Sequence, residues 1–251
     1  MPNFSHGRNA RFLADGFDLS DSTNKLETNG TSDLVDITGF QNGSKRFIAG
    51  YKEATMKASG FFRGTIGGDQ PAISTDVAGA ETFGAGTVVF SHYPAGVSIG
   101  SRGVSMAAQD TTYNVTSDAK EANAYSIEAM SSVGVEPVIS HYAIGTATLV
   151  ASALTASGTA ASVNNAAAST NGGAGYLHSF RLTAGTAIIK LQHSADDATF
   201  ADLAVLGTVV AATDERLSAR VAIAGTIDQY TRCVYTVTGG SAAFHAGLYR
   251  A

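Results

Sequence analysis

Residues 44–62 read S-K-R-F-I-A-G-Y-K-E-A-T-M-K-A-S-G-F-F, and this stretch decides the fold. From residue 51 onward, long polar side chains such as Glu53 and Lys57 alternate with smaller apolar ones such as Ala54 and Met56. This period of two predicts a β-strand with one buried face. The segment 46–62 is also longer than the mean strand of about 5–6 residues. We therefore expect one unusually long strand at this point of the chain.

Similar alternation recurs on both sides of this strand, and tight-turn residues such as Asn42-Gly43 and Gly239-Gly240 separate the segments. The further predicted strands are residues 34–40, 87–93, 113–116, 125–131, 176–183, 186–194, 229–238 and 242–250. Evenly spaced strands without interleaved helices predict an all-β protein with antiparallel sheets in a sandwich or barrel.

The segments between the strands contain one helix candidate and two long connections. Residues 73–83 begin with Ser74 and Thr75 as caps, but Gly79 weakens a helix by about 1 kcal/mol relative to Ala, so at most one short helix is expected. Residues 21–33 and 63–76 are predicted to be long connections, because they are irregular and rich in Gly, Asn and Asp.

The composition changes near Gly145, which divides the chain into predicted domains 1–145 and 146–251. The first has 10 Lys/Arg and 15 Asp/Glu and the second 6 of each, so their formal charges are −5 and zero. An Ala/Ser/Thr/Gly/Asn-rich passage follows the boundary as far as residue 175. It is either a flexible linker or a set of small-residue strands at 146–152 and 159–164, and the β-formers in it favour the strands.

The bulk composition favours assembly and argues against nucleic-acid binding. Only 15% of the 251 residues are charged, against about 25% in a typical domain. Much of the surface must then be neutral, and contact between subunits would cover it. No run or patch of Lys/Arg is visible, so the electrostatic footprint of a DNA-binding protein is missing.

The search for catalytic or metal-binding motifs predicts no enzyme and no cofactor. Residues 96–100 match G-x-S-x-G around Ser98, but another β-like stretch follows where a nucleophile elbow needs a helix. The six histidines lack the spacing of a metal site and are interpreted as polar or interior residues. Asp196, Asp197 and Asp202 suggest either a calcium site or a hairpin cap, and the cap is favoured.

The single cysteine and the chain's start bear on its compartment. Cys233 lies in a strand pattern with Tyr235 and Val237 and is predicted to be a small buried hydrophobe, and a lone cysteine forms no intramolecular disulfide. The first residues lack the apolar core of a signal peptide, and the charge-free stretch 137–180 is too rich in Ser, Thr, Asn and Gly for a spanning helix. No membrane partner is expected.

Two passages together resemble major tail tube proteins of long-tailed, siphovirus-type bacteriophages. The first is residues 34–62, preceded by Phe17-Asp18-Leu19-Ser20, and it resembles the N-terminal part of those proteins. The second comprises residues 176–182, 188–203, 225–232 and 239–244, and it is similar to the β-sandwich unit common in phage tail proteins. The two matches cover roughly half the chain and are patterns of fold, while residues 64–135 match only by general strand character.

The resemblance implies a tail-tube-type β-sandwich or barrel with a long β-hairpin arm, plus a C-terminal antiparallel β-sandwich. It implies a structural virion protein that forms stacked hexameric rings around a hollow conduit for genome delivery. The implied partners are further copies of the chain, a tape-measure protein, a tail terminator and tail tip or baseplate proteins. Viral DNA would pass through the lumen without specific binding. The implied location is the virion tail, assembled in the cytoplasm of the host bacterium.

The assembly interface is expected along the long strand and the connection after it. The residues assigned to this interface are Arg46, Phe47, Tyr51, Lys52, Met56, Phe61, Phe62, Arg63 and Asp69. The alternative function, for which the second half would suffice, is a β-sandwich binding or capsid-decoration module. The absence of Trp argues against sugar stacking in such a module.

Overall fold

The computed structural model of the chain describes residues 7–39, 44–63, 88–132, 138–146, 154–211 and 217–251. Within these residues the chain forms one short 3-10 helix, Gly7–Asn9, and sixteen strands. The strands are β1 (Arg11–Ala14), β2 (Phe17–Asp18), β3 (Thr23–Asp36), β4 (Phe47–Phe61), β5 (Val88–Tyr93), β6 (Arg102–Thr116), β7 (Ala124–Ser131), β8 (Val138–Thr146), β9 (Gly158–Thr159), β10 (Val163–Asn164), β11 (Gly173–Leu182), β12 (Thr186–Ser194), β13 (Ala201–Val210), β14 (Leu217–Ile223), β15 (Tyr230–Thr238) and β16 (Ala242–Arg250).

The strands form two sheets in which the strand pairs are antiparallel. The larger sheet has eleven strands and runs in the order β14-β11-β16-β8-β6-β5-β1-β2, with β7, β4 and β3 attached in sequence to β6. The smaller has five strands, in the order β10-β15-β12-β13 with β9 also paired to β15. The predicted all-β class with antiparallel sheets is confirmed.

Two main apolar cores lie on the buried faces of these strands. One is built by the first part of the chain and contains Phe12, Met56, Met106 and Ile127. The other fills the C-terminal sandwich between β11 and β16 on one side and β12, β13 and β15 on the other; its members include Leu177, Ile189, Leu191, Cys233 and Phe244. Alternate residues of a strand point to the same side of the sheet, so the apolar residues at alternate positions meet in these cores.

The boundary proposed at residues 145 and 146 falls at the end of β8. β8 pairs with β16, and the C-terminal core also contains Leu13 and Tyr93 from the first part of the chain. Strand pairing and apolar packing therefore both cross this position. The division into domains 1–145 and 146–251 stays a prediction about independent folding.

Most predicted strands are present, and one expectation needs correction. Residues 21–33 are not a long connection, because β3 begins at Thr23 and pairs with β4 over its whole length. Alternation predicts β3 only from residue 34 onward, because its residues 23–33 are polar on both faces apart from Leu26 and Gly30. The predicted helix at 73–83, the turn at 41–43 and nearly all of the connection 63–76 lie outside the described residues.

The passage after residue 145 contains short strands. β9 and β10 lie within or beside the predicted strand 159–164, and both pair with β15. The strand predicted at 146–152 falls almost wholly outside the described residues. β13 is not predicted by alternation because two register shifts against β12 interrupt its period of two.

Candidate assembly interface

The most distinctive feature of the molecule is a long hairpin arm made of β3 and β4. The two strands pair from Thr23 opposite Gly60 as far as Asp36 opposite Phe47. The next strand, β7, pairs with β4 only from Thr55 to Phe61. Beyond Thr55 the arm therefore consists of two strands alone within the described residues. Its free part on β3, residues 29–36, extends about 25 Å at about 3.3 Å per residue.

Hydrogen bonds close the far end of the arm. The Ile37 amide donates to the Arg46 carbonyl at 2.9 Å, and the Arg46 amide donates to the Thr38 hydroxyl at 2.9 Å. The Asp36 carboxylate accepts the Thr38 amide at 2.8 Å, and the Thr38 hydrogen bonds lower the pKa of Asp36. These hydrogen bonds, including the Asx-type turn at Asp36, connect the two strands at the end of the described part of the arm.

The arm tip is apolar on both faces although it is exposed to solvent. Five large hydrophobic residues there are between 47% and 65% exposed, out of nine such residues in the described part of the chain, namely Leu34, Val35, Ile37, Phe47 and Ile48. Val35 lies opposite Ile48 on one face, and Leu34 shares the other with Phe47. Clustered apolar exposure of this kind marks an interaction surface, whereas scattered residues do not.

The arm also presents unpaired backbone. Within the described residues, β3 pairs with no strand other than β4, and β4 pairs with none other than β3 over residues 47–54. Free strand edges of this length promote pairing with another chain unless they are covered. Both the side chains and the backbone of the arm are therefore suited to a partner.

Of the nine predicted interface residues, six lie at least partly at the surface of the described structure. Arg46, Phe47 and Lys52 lie exposed on the free part of the arm, and Phe61 is 54% exposed at its root. Phe62 and Arg63 follow and are half-buried, with Phe62 packed against the first core.

Met56 and the remaining two residues differ from these. Met56 is only 2% exposed and belongs to the first core, so its side chain anchors the arm and offers no surface to a partner. The side chain of Tyr51 and the whole of Asp69 lie outside the described residues. The predicted interface did not include the apolar residues Leu34 and Val35 of β3. The alternation at residues 34–40 predicted an ordinary half-buried strand, in which such residues face a core.

A second surface is the polar face of the four-stranded layer β3-β4-β7-β6. Directly opposite residues form two rows across these strands: Glu27, Lys57, Glu128 and Thr112 in one, and Lys25, Ser59, Ser126 and Asn114 in the other. Lys25 and Glu27 are 2.7 Å apart, and Lys57 and Glu128 are 2.8 Å apart.

This polar face is electrically balanced. Its four charged side chains comprise two cations and two anions, which pair with each other. A shallow groove of about 290 Å³ runs over it. The opposite face of the same strands carries Met56, Ala58 and Ile127 in the first core. One layer thus separates an apolar interior from a neutral, hydrated surface.

The residues considered for catalysis have structural surroundings. Ser98 lies exposed between β5 and β6, and its backbone bonds to Ser101, with a strand and no helix after it. The buried Ser91 hydroxyl lies 2.9 Å from His178 Nε2, which resembles a nucleophile–base pair. However, Ser91 and His178 are both fully buried, so no substrate can reach them in this conformation.

The acidic hairpin and the cysteine match their structural interpretations. Asp196 accepts hydrogen bonds from the amides of Thr199 and Ala198 and from the Ser194 hydroxyl, and these bonds lower its pKa to about 2. The favoured interpretation of this hairpin as an Asx-type cap is confirmed. Cys233 is buried in the C-terminal core, and burial raises its pKa to about 12, so the predicted buried hydrophobe is also confirmed.

The described residues contain neither a candidate metal site nor a candidate membrane-spanning helix. No group of three or more His, Cys, Asp or Glu in this part of the chain is placed to hold a metal ion. No helix among the described elements has the length and apolar character needed to cross a membrane.

Comparisons with known proteins found similarity only at the level of structure. No protein-family model and no curated protein matches the sequence. Among solved structures, a chain from the tail of an empty gene transfer agent particle, refined with C6 symmetry, has a TM-score of 0.42 and 14% identity, over 54% of this chain and 99% of that one.

Two further solved structures are also similar to this chain, again at low sequence identity. The tube-terminating cap of the anti-feeding prophage has a TM-score of 0.44 and 12% identity, over 57% of this chain and 93% of that one. The SPP1 Dit protein, described as a hub of the adsorption apparatus, has a TM-score of 0.33 and 10% identity, over 96% of this chain and 99% of that one. Likeness this weak does not by itself assign a function.

Proposed function

We propose that this chain is a non-enzymatic structural subunit of a phage-type tail, the tube subunit that assembles into stacked hexameric rings around a hollow conduit. The observation that carries the proposal is the hairpin arm. Its five exposed apolar tip residues and its unpaired edges would be unfavourable on an isolated monomer. In a ring, each subunit has an identical neighbour that can cover the apolar tip and the unpaired edges of its arm.

The polar face of the β3-β4-β7-β6 layer is suited to the wall of the conduit. Its cations are neutralised by neighbouring carboxylates, so it offers DNA no phosphate-binding cluster. The surplus of acidic residues in the first part of the chain adds a repulsive field. DNA would slide along such a surface without specific binding, as the sequence resemblance implies.

The remaining roles follow from the same proposal. The partners would be other copies of the chain, a tape-measure protein inside the tube, and terminator and tail tip or baseplate proteins at its ends. The location would be the virion tail, after assembly in the host cytoplasm. The C-terminal sandwich would decorate or buttress the tube, and by itself it remains the basis of the alternative, a binding or decoration module.

The arm can be tested by shortening it. Replacing residues 33–51 with an Asn-Gly turn retains the pairing of Ser32 with Lys52 and removes all five exposed tip residues. We expect the full chain to form rings or tubes in negative-stain images and sedimentation velocity, and the shortened chain to be a folded monomer. Val205→Ser is the control, because Val205 is 49% exposed on β13, away from the arm.

The outcomes separate the two functions. Tubes formed by the shortened chain would exclude the arm as the assembly element. A full chain that stays monomeric at high concentration, even with tail-initiation proteins present, would contradict the tube proposal and favour the binding module.

A further inference from the structure

A groove of about 650 Å³ lies at the root of the arm, at the opposite end from the apolar tip. It is bounded by the 3-10 helix, the start of β1, the first residues of β3 and the segment just after β5. Its volume falls in the range of about 300–1,000 Å³ typical of ligand sites. A few side chains of an extended segment would fill it.

The groove combines positive charge with apolar surface. Its charged lining residues are Arg8, Arg11 and Lys25, and no carboxylate of the described part of the chain lines it. Arg11 and Lys25 have ion-pair partners outside the lining, Asp18 at 3.7 Å and Glu27 at 2.7 Å. These pairs are partly solvated, so an incoming carboxylate can compete for the cations. Phe12, Leu26 and Pro94 supply the apolar part.

Residues 31–36, the tip end of β3, carry negative charge and apolar side chains that complement the cationic and apolar groove. Residues 31–36 read T-S-D-L-V-D, with exposed Asp33 and Asp36 around exposed Leu34 and Val35. The cations Lys45 and Arg46 belong to the other side of the hairpin, about 5 Å further from the outer edge of β3. Approached from that outer edge, the tip is therefore acidic and apolar.

We propose, on the basis of the proposed function, that the groove at the arm's root binds the arm tip of a second copy, with residues 31–36 added as a strand along the outer edge of β3. The tip cannot reach its own groove, because Lys25 and Leu34 lie about 30 Å apart along one extended strand. Tip and groove are different surfaces, so the contact is head-to-tail and propagates into a ring or filament.

A charge swap tests the contact. We expect Asp33→Lys and Lys25→Glu each to raise the concentration for half-maximal assembly by about tenfold, through like-charge repulsion at the docking site. The double variant Asp33→Lys/Lys25→Glu restores the attraction in every contact and should return to within about threefold of the original chain. Matched controls are Glu121→Lys and Lys120→Glu, two exposed residues in the loop between β6 and β7.

Disulfide trapping gives a readout that does not depend on charge. Val35→Cys combined with Asn24→Cys places a thiol in the tip and one beside the groove, while the native Cys233 is fully buried. Diamide takes two electrons and two protons from each pair of thiols, and the new S–S bond joins two copies. We expect a ladder of linked chains on a non-reducing gel, and no ladder from either single variant.

The two proposals fail in different ways. Rings or tubes from the original chain, without rescue in the charge swap or without a ladder, would overturn the docking site and leave the tube function standing. An original chain that does not assemble at all would overturn the tube function itself.

Discussion

Val35 and Ile48 lie directly opposite each other across the arm, and 49% and 51% of their respective surfaces are exposed to solvent. A cross-strand pair of β-branched residues normally stabilises a sheet by facing a core. This pair faces none within the described residues, so the cost of its exposure is relieved only when another surface covers it.

The first prediction concerns this pair. Val35→Thr/Ile48→Thr retains β-branched side chains but makes this face of the tip polar. We expect the free energy of unfolding of the monomer to change by less than about 1 kcal/mol, because the residues are half-exposed. Assembly, followed by sedimentation velocity, should require a much higher protein concentration. Unchanged assembly would show that the apolar tip is not a contact surface.

The second prediction places proline in the free part of the arm. Among the described strands, Glu53 pairs only with Thr31 on β3, whereas Thr55 pairs with both Asn29 on β3 and Met130 on β7. Proline removes a ladder donor, so Glu53→Pro should impair assembly while leaving the core folded. Thr55→Pro should in addition lower the thermal unfolding temperature. Equal loss of stability in both variants would contradict a two-stranded arm that begins beyond Thr55.

The third prediction follows from a buried carboxylate. Asp110 lies in one row with Ala129, Met56 and Thr28 on the core face, and neither of its oxygens has a hydrogen-bond partner among the described residues. Burial and the nearby charge of Asp15 raise the pKa of Asp110 to about 7. Since this pKa is raised above its value in the unfolded chain, stability should fall as pH rises through about 4 to 7.

Asp110→Asn removes this pH dependence. At pH 8 we expect the variant to be more stable than the original chain by on the order of a few kcal/mol, and at pH 4 to be nearly equal to it. Urea unfolding at both pH values measures the difference, with exposed Asp118→Asn as the control. A variant that is equally destabilised at both pH values would indicate that Asp110 has an unrecognised partner.

The fourth prediction concerns a buried histidine that connects the two parts of the chain. His178 accepts the Gly16 amide through Nδ1 at 3.4 Å, and its Nε2 lies 2.9 Å from the Ser91 hydroxyl. Both His178 and Ser91 are fully buried, so removal of the imidazole takes a hydrogen-bond partner from a buried site. We expect His178→Ala to lower the free energy of unfolding in urea by about 1–3 kcal/mol or more. Unchanged stability would show that these hydrogen bonds contribute nothing to the contact between the two parts.

The fifth prediction concerns residues 146–251. Their sandwich has a core of its own, but His178, Ser218 and His245 bond to Ser91, Asp15 and Tyr93 of the first part. We expect the isolated fragment to retain the circular dichroism of β-structure and to unfold at lower urea than the full chain. A fragment degraded as fast as an unfolded chain would show that the two proposed domains form one folding unit.

The amino-acid sequence alone determined the β class and the places of the regular strands. In β12 and β16, alternation and flanking turn residues agree with burial, so the predicted bounds, 186–194 and 242–250, are those of the structure. The same local rule predicted that Ala54, Met56 and Ala58 share a buried face, and they do. Hairpin chemistry around Asp196 is equally local, because its bonds connect residues within a few positions of each other.

Tertiary structure alone decided which apolar surfaces remain exposed to solvent and where a groove forms. Leu34 and Val35 are apolar residues of the kind that fill cores, and they are exposed because β3 and β4 extend past β7, the last described strand beside them. The groove at the arm's root brings together Arg8, Lys25 and Pro94, which are far apart in the sequence. Periodicity describes the two faces of one strand, whereas solvent exposure and site formation depend on which distant strands pair beside it.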